Sequence, residues 1–492
     1  MSLALVPIYV KYLGIEAYGL IGIFSILISA LGLLDLGMKP ALGREMARYT
    51  GGTHNEQSIW NLLRSIELIS SVIVIIVALV IWLISDWLAT SWVKVQTLPA
   101  HVVAQAFAIM GLVAALQFFE SIYSSSLAGL QRQVVQNVII CSMATTRGLG
   151  AVGIIVWVSP TIQAFFIWQA ICSCLSLILF AITVYKLLPN PPTRPRFSKF
   201  ALKSVWRFAS GMLTITFLAL LLTQVDKILL SRMLALDSFG YYVLATTIAG
   251  CLGQLTSPIT SAFYPLFNKF IVQRDEPSLI NAYHQSSQIV ATLTGSIAAM
   301  LIIYSNKIVL LWTGNNELTI NVAPILEIVT LGSLLNCIMW IPYQMQLASA
   351  WTSLTIAINI AAVIIFVPLL LILVPIYGSV GASWVWVAIN AGYCIIGIHF
   401  MFLRLIKNEK WNWYIKDTIF PISTAFAIPL ILNMLITWPI KKESQIAYMF
   451  FIWALSMSFS VTTTPFVRNY LKSIIIVIFK KIYGSSRFSA GK

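Results

Sequence analysis

The chain has 492 residues, 59% of them hydrophobic and only 10% charged, with a formal net charge of +15. Its mean hydropathy of +0.89 implies more apolar surface than a soluble protein of this length can bury, which excludes a soluble globular enzyme and makes it a polytopic membrane protein. The apolar runs match bilayer-crossing helices of roughly 20 residues, and none shows the alternation of barrel strands, about 10 residues each.

In chain order, an apolar stub over 1–10 reads as the end of a helix. Spans follow at 18–38, 61–85, 100–127, 133–158 and 161–186. Beyond a linker come 205–234, 239–268, 284–312, 322–343, 352–374 and 378–404, then a further pair at 418–437 and 446–466. That is an all-α chain with about 14 spans. The stretch PNPPTRPR, 189–196, is Pro-rich and basic and divides the chain. The expected domains are an N-terminal bundle over 1–188, a cytoplasmic linker over 189–203, a second bundle over 204–404, an extra pair over 417–466 and a basic tail over 467–492. Within that tail, 467–483 reads as an interfacial helix or partial span.

Most of the 31 lysines and arginines fall on one side of these spans. Only Lys11, Lys94, Arg232, Lys307, Lys441 and Lys442 fall on the other, and Arg147 and Lys227 lie inside spans. The positive-inside rule makes the rich side cytoplasmic. The charge then faces anionic lipid, so nucleic acid is not needed as a partner. The six cysteines all lie in spans and read as small apolar fillers. His54, His101, His284 and His399 match no metal spacing. No phosphate-binding loop, nucleophile elbow or zinc-protease motif occurs, so no cofactor, metal or catalytic residue is expected. The first ten residues lack the basic start of a cleavable signal.

The two sides of the linker repeat each other. KYLGIEAYGL at 11–20 aligns with RMLALDSFGY at 232–241, pairing Lys11 with Arg232, Leu13 with Leu234, Glu16 with Asp237, Tyr18 with Phe239 and Gly19 with Gly240. LAGLQR at 127–132 echoes LASAWT at 347–352 at nearly the same offset. The unit is then six helices, and an even number makes the repeats parallel. The helix starting near 205 would have its counterpart start near −16, so the first helix is expected to be incomplete.

KYLGIEAYGLIGIF (11–24), LLDLGMKPALGREMARYTGG (33–52), QVDKILLS (224–231), FGYYVLA (239–245) and LLWTGN (310–315) occur in that order. Together they resemble the Wzx-type O-antigen flippases of the multidrug/oligosaccharidyl-lipid/polysaccharide (MOP) exporter superfamily. The resemblance implies two six-helix bundles in a MATE-like fold around a cavity worked by alternating access. It implies a substrate of undecaprenyl-diphosphate-linked oligosaccharide, the O-antigen repeat unit, moved from the cytoplasmic to the periplasmic leaflet of the bacterial inner membrane. O-antigen polymerase and chain-length regulator are the implied protein partners. The chain departs from many Wzx-type members in its incomplete first helix and in the pair beyond twelve spans.

A diphosphate head group crossing an apolar slab needs cationic donors along its path. Arg147, mid-span in TTRGLGAVG, costs at least ~2.5–3.5 kcal/mol to insert, so it faces a cavity or a partner. It either contacts substrate or pairs with Glu120 or Asp226. The glycines and alanine after it permit close helix contact or an open lumen. Lys227 is a second candidate contact, and adjacent Asp226 is a partner for Lys227 or Arg147, a proton or sodium site, or part of a fixed ion pair. Glu120, near Tyr123 and several serines, is a candidate coupling site. Arg44 and Arg48 lie one turn apart and meet either the incoming head group or anionic lipid. Arg64 with Glu67, together with Asp35 and Glu327, read as structural. Tryptophans at span ends read as an aromatic belt.

Two rival readings stay open. A MATE-like exporter of small cationic molecules would be expected to have an acidic cavity. A polymerase or ligase of polysaccharide assembly would be expected to carry a large periplasmic loop.

Overall fold

The computed structural model describes residues 3–34, 37–52, 55–191, 193–199, 203, 217, 220–221, 223–436, 438–439, 441–466 and 468. Among them the chain is helical, and nine helical stretches are long and apolar enough to cross a membrane. One of the nine, Ser353–Arg404, contains a break at Gly378, whose φ of 59° and ψ of −139° suit only glycine. That break falls where the sequence separates the spans 352–374 and 378–404. Asp35, much of 205–234 and the tail over 469–492 lie outside the described residues.

Two compact units result, residues 1–243 and 244–492. The first contains α1 (Val6–Leu13), α2 (Ile15–Leu31), α3 (Met38–Thr50), α4 (Glu56–Trp87), α5 (Ala100–Gly129), α6 (Gln133–Gly153) and α7 (Ile162–Leu187). Single π turns extend α4 to Trp92 and α6 to Val158. Helix α5 is the centre of this unit. Ala106, Met110, Val113, Ala114 and Leu127 are fully buried along it. Small residues let its neighbours approach: a methyl group at Gly129 would meet Gly43 O of α3. One at Gly111 would lie 2.7 Å from the Ile81 side chain of α4. The stretch between the expected spans 18–38 and 61–85 holds α3, which lays Ala41, Leu42, Glu45 and Met46 inward and leaves Arg44 and Arg48 exposed one turn apart.

The Pro-rich segment is a strap laid along α4. Gln57, Asn61 and Ser65 stand one helical turn apart and accept the N–H groups of Thr193 (3.0 Å), Arg196 (2.9 Å) and Ser198 (2.8 Å). Trp60 Nε1 donates to Pro189 O at 2.7 Å. Prolines lack N–H donors, so these side chains satisfy much of what the strap's backbone offers.

The second unit contains the rest of α8 (Leu236–Ala249), then α9 (Cys251–Gln273), α10 (Glu276–Ile303), α11 (Ser305–Thr313), α12 (Asn316–Ala348), α13 (Thr352–Gly392) and α14 (Ile398–Arg404). It ends with α15 (Phe420–Leu435) and α16 (Lys442–Thr463). Helix α10 is its most buried span, with Ala291, Thr294, Ser296, Ala298 and Ala299 all interior. Small side chains of this kind let membrane helices pack closely without bulky apolar residues.

The repeated motif has a structural counterpart. A methyl group at Gly19 would sit 2.7 Å from Leu236 O, and one at Gly240 would sit 2.5 Å from Ile15 O. Ile15 and Leu236 differ by the same offset as Gly19 and Gly240, so α2 and the start of α8 cross in a local pseudo-two-fold. A methyl group at Gly22 would lie 2.6 Å from the side chain of Val243, its own counterpart at that offset. Beside this crossing, Glu16 is buried and accepts bonds from Gln96 N (2.8 Å), Thr97 N (3.0 Å), Thr97 Oγ1 (2.6 Å) and Leu98 N (2.9 Å). Burial raises the Glu16 carboxyl, but these donors outweigh it and hold it below the usual carboxylate range.

Two outcomes follow from this crossing. Gly240→Val is expected to destabilise by about 1–3 kcal/mol through overpacking, whereas Gly392→Ala, at a helical position with open space, is neutral or better; thermal unfolding in detergent reads both. Because the folded Glu16 pKa is depressed, its stabilising contribution is present above the ordinary carboxylate pKa of about 4 and is lost as pH falls below it. The melting-temperature gap between the parent chain and Glu16→Gln should therefore be widest at neutral pH and close on acidification. A pH-independent gap would refute that account.

Candidate functional site

The first unit holds a partly open cavity of about 660 Å³. Tyr9, Ser25, Gln117, Thr145, Arg147 and Gln169 supply its polar lining, and Ile21 and Phe24 are among its apolar residues. Its volume lies in the ~300–1,000 Å³ range of small-molecule sites. Helix α6 presents Arg147 to it from mid-span. Only Met143, Gly148 and Ala151 of α6 are buried, so this helix is held by a few specific contacts. Tyr9 Oη donates to Gly148 O at 3.1 Å, and Trp168 Nε1 to Thr146 O at 3.3 Å. Gly150 lies against the Trp168 ring.

Of the partners open to Arg147, the structure supplies Glu120. Arg147 Nη2 lies 2.8 Å from Glu120 Oε2, with side-chain exposures of 22% and 16%. Arg147 Nε is buried with no hydrogen-bond partner. Arg147 lines the cavity, whereas Glu120 is not among its lining residues. The arrangement therefore offers the cavity a cation whose neutralising carboxylate lies to one side.

Asp226 and Lys227 go elsewhere. Asp226 is buried and accepts from Tyr242 Oη at 2.9 Å, leaving Oδ1 without a partner. Lys227 Nζ donates to Thr223 O of its own helix at 3.2 Å. Adjacent positions on a helix diverge by about 100°, which separates the two. Neither is among the lining residues of the Arg147 cavity. Arg48 pairs with Glu45 at 3.3 Å on α3, and Arg44 is exposed on the same helix.

Tyr123, expected beside Glu120, turns to Glu67 instead. Glu67 Oε1 accepts Tyr123 Oη (3.0 Å) and Tyr185 Oη (2.5 Å), while Oε2 receives Arg64 Nη1 at 3.2 Å. Arg64 and Glu67 do form the local pair expected from their spacing. A second buried cluster had no sequence signal. His284 of α10 contacts Asp417 through Nδ1 and Glu409 through Nε2 at 3.2 Å. Gln288 donates to Asp417 at 2.8 Å and accepts from Phe466 N at 3.1 Å, so this cluster ties the last two helices to α10. Glu327 near a span end accepts Ser305 Oγ at 2.5 Å.

Comparison with known proteins sets this geometry in context. A family model described as "Polysaccharide biosynthesis protein" matches residues 1–271, more than half of the 492, and the chain belongs to that family. A Shigella flexneri protein named "Putative O-antigen transporter" is 21% identical over 374 residues, covering 76% of this chain and 87% of its own. An inward-facing multidrug-resistance MATE transporter of the MOP superfamily superposes with a TM-score of 0.67 at 14% identity, over 82% of this chain and 93% of its own. The lipid II flippase MurJ in an inward closed conformation gives 0.65 at 13% identity, over 94% and 96%. The fold is thus the all-helical one shared by these exporters.

The ion pair makes a direct prediction. Glu120→Gln should destabilise the chain by about 1–3 kcal/mol, below the loss for a fully buried pair because both partners are partly exposed. The double variant Arg147→Met/Glu120→Gln should recover part of that loss. Strict additivity in detergent melts would mean that the two groups do not stabilise each other.

Proposed function

We propose that this member of the polysaccharide biosynthesis family is a flippase, moving an oligosaccharide carried on a lipid diphosphate from one leaflet to the other by alternating access. The single observation that carries the reading is Arg147 on the cavity wall, with Glu120 set beside it and Nε unpartnered. The substrate is undecaprenyl-diphosphate-linked O-antigen repeat unit, and the membrane is the bacterial inner membrane. The named transporter relative and the Lys/Arg-rich loops support this.

The chemistry runs through charge balance. The lipid tail stays in the bilayer, and only the diphosphate and sugars need a polar route. In the empty site Glu120 neutralises Arg147. An entering diphosphate offers the guanidinium more oxygen acceptors than one carboxylate does and takes its place. Glu120, left without its partner, then takes up a proton, which makes it a coupling group. Gln117, Thr145 and Gln169 meet sugar hydroxyls. Asp226, with its free oxygen, holds a proton or a small cation, and Lys227 gives a second cationic contact. Arg44 and Arg48 meet the head group at the cytoplasmic surface. Polymerase and chain-length regulator receive the product.

The test is complementation. A bacterium lacking its own flippase, but making the cognate lipid-linked unit, should regain surface polysaccharide when this chain is expressed. Arg147→Ala at equal membrane abundance should reduce it about tenfold or more, as expected for loss of a charge-assisted contact. Export of cationic dyes without surface polysaccharide would replace the flippase reading with the small-molecule exporter. Full activity of Arg147→Ala would remove Arg147 from the site.

A further inference from the structure

A second recess lies on the Lys/Arg-rich side of the first unit, apart from the Arg147 cavity. It measures about 450 Å³ and is lined by Trp60, Arg64 and Glu67 of α4, Tyr185 of α7, and Pro191, Arg194 and Pro195 of the strap. Its walls are fixed. Trp60 and Tyr185 stack with ring centres 5.5 Å apart and planes 9° from parallel. The strap is pinned to α4 by the ladder through Gln57, Asn61 and Ser65. Glu67, the one acidic lining residue, has both oxygens engaged by Tyr123, Tyr185 and Arg64. Arg64 spends one nitrogen on that carboxylate and keeps half of its side chain exposed, and Arg194, lining the same recess, is exposed as well.

The height of the recess on the unit identifies its ligand. On α4 the exposed apolar face starts at Leu68 and runs through Val72, Ile75, Ile76 and Leu79. On α7 Ile178 and Ile182 are exposed, ending at Tyr185 and Leu187. The recess therefore sits where lipid-facing surface gives way to polar surface. Lipid phosphates lie at that level, and Trp and Tyr side chains favour it. Two arginines over an aromatic wall suit a phosphate ester attached to a lipid. We infer that this recess is a binding site for the phosphate of a lipid head group, formed only because the Pro-rich strap is docked on α4. The inference does not depend on the transport reading. Either an anionic phospholipid or the diphosphate-linked lipid supplies the same chemistry.

The test is native mass spectrometry of the purified full chain in detergent, with phosphatidylglycerol, undecaprenyl diphosphate or inorganic phosphate added separately. The parent chain should retain a lipid adduct, and Arg194→Gln should weaken it about tenfold, as for one charge-assisted contact. Arg194 lies on the exposed strap, so this change leaves the helical core intact. Arg64→Gln should act alike, with Glu67 still held by two tyrosines. Arg132→Gln, at the exposed α5–α6 turn, should have no effect. Retention of both lipids identifies a general phospholipid site, and retention of undecaprenyl diphosphate alone identifies the substrate head group; both uphold the inference. Adducts indifferent to Arg64 and Arg194, or binding of inorganic phosphate alone, would overturn it.

Discussion

A guanidinium at the middle of a membrane helix has to be neutralised, and that requirement organises the first unit. Without a partner Arg147 would cost at least ~2.5–3.5 kcal/mol at its depth. Glu120 removes much of that cost, but only if α5 and α6 approach within a salt-bridge length there. Helix α6 has few other holds on the unit, so Gly148 against Tyr9 and Gly150 against Trp168 complete the attachment. The glycines and the arginine are therefore one device. Close approach of neighbouring helices places the pair, and the pair makes the charge tolerable.

The same physical demand is met differently at four other buried carboxylates. Glu16 is satisfied by loop N–H groups, Asp226 by a phenol, Glu67 by two phenols and an arginine, and Asp417 by an imidazole and an amide. In each of these four cases at least one partner is on another segment. A buried charge thus works as a long-range tie: removing one partner leaves the other unpaired in a low-dielectric setting. Asp226 is only half satisfied, and so is Arg147. Those two keep hydrogen-bonding capacity that Glu16, Glu67 and Asp417 do not.

Hydropathy made the nine long apolar helical stretches among the described residues legible because a bilayer imposes length and composition on each helix. The break at Gly378 and the repeat around Gly19 and Gly240 were also legible, since backbone geometry and close approach leave few residue choices. Helix α3 was legible only through the one-turn spacing of Arg44 and Arg48, because its amphipathic pattern lies in a polar stretch without a hydropathy signal. Pairing was legible only where it was local. Arg64 and Glu67 follow from a three-residue spacing, whereas Arg147 had two carboxylates to choose from. The turn of Tyr123 toward Glu67 depends on which way α5 faces α4, which a mean hydropathy does not carry. His284 and Asp417 are 133 residues apart and share no spacing rule. The strap was legible as Pro-rich, but its docking was not, because the acceptors belong to a helix far earlier in the chain.

Neutralisation does not erase selectivity. A cavity bordered by an Arg–Glu pair has no net charge from it, which taken alone favours neither anions nor cations. What decides is which member meets the ligand. Arg147 borders the cavity and Glu120 does not, so an anion reaches the guanidinium without first meeting the carboxylate. A cation entering the same space meets the guanidinium first and gains nothing from Glu120 until the pair opens. The field inside the cavity is set by the nearer charge because Coulomb energy falls with distance and the intervening medium is poorly screening. An Arg–Glu pair placed in this way lowers the cost of folding the empty site while leaving the cation on the cavity wall. In the proposed transport cycle, occupancy of Arg147 releases Glu120 from the pair and so favours its protonation, and that linkage is the minimum that coupling to a proton requires.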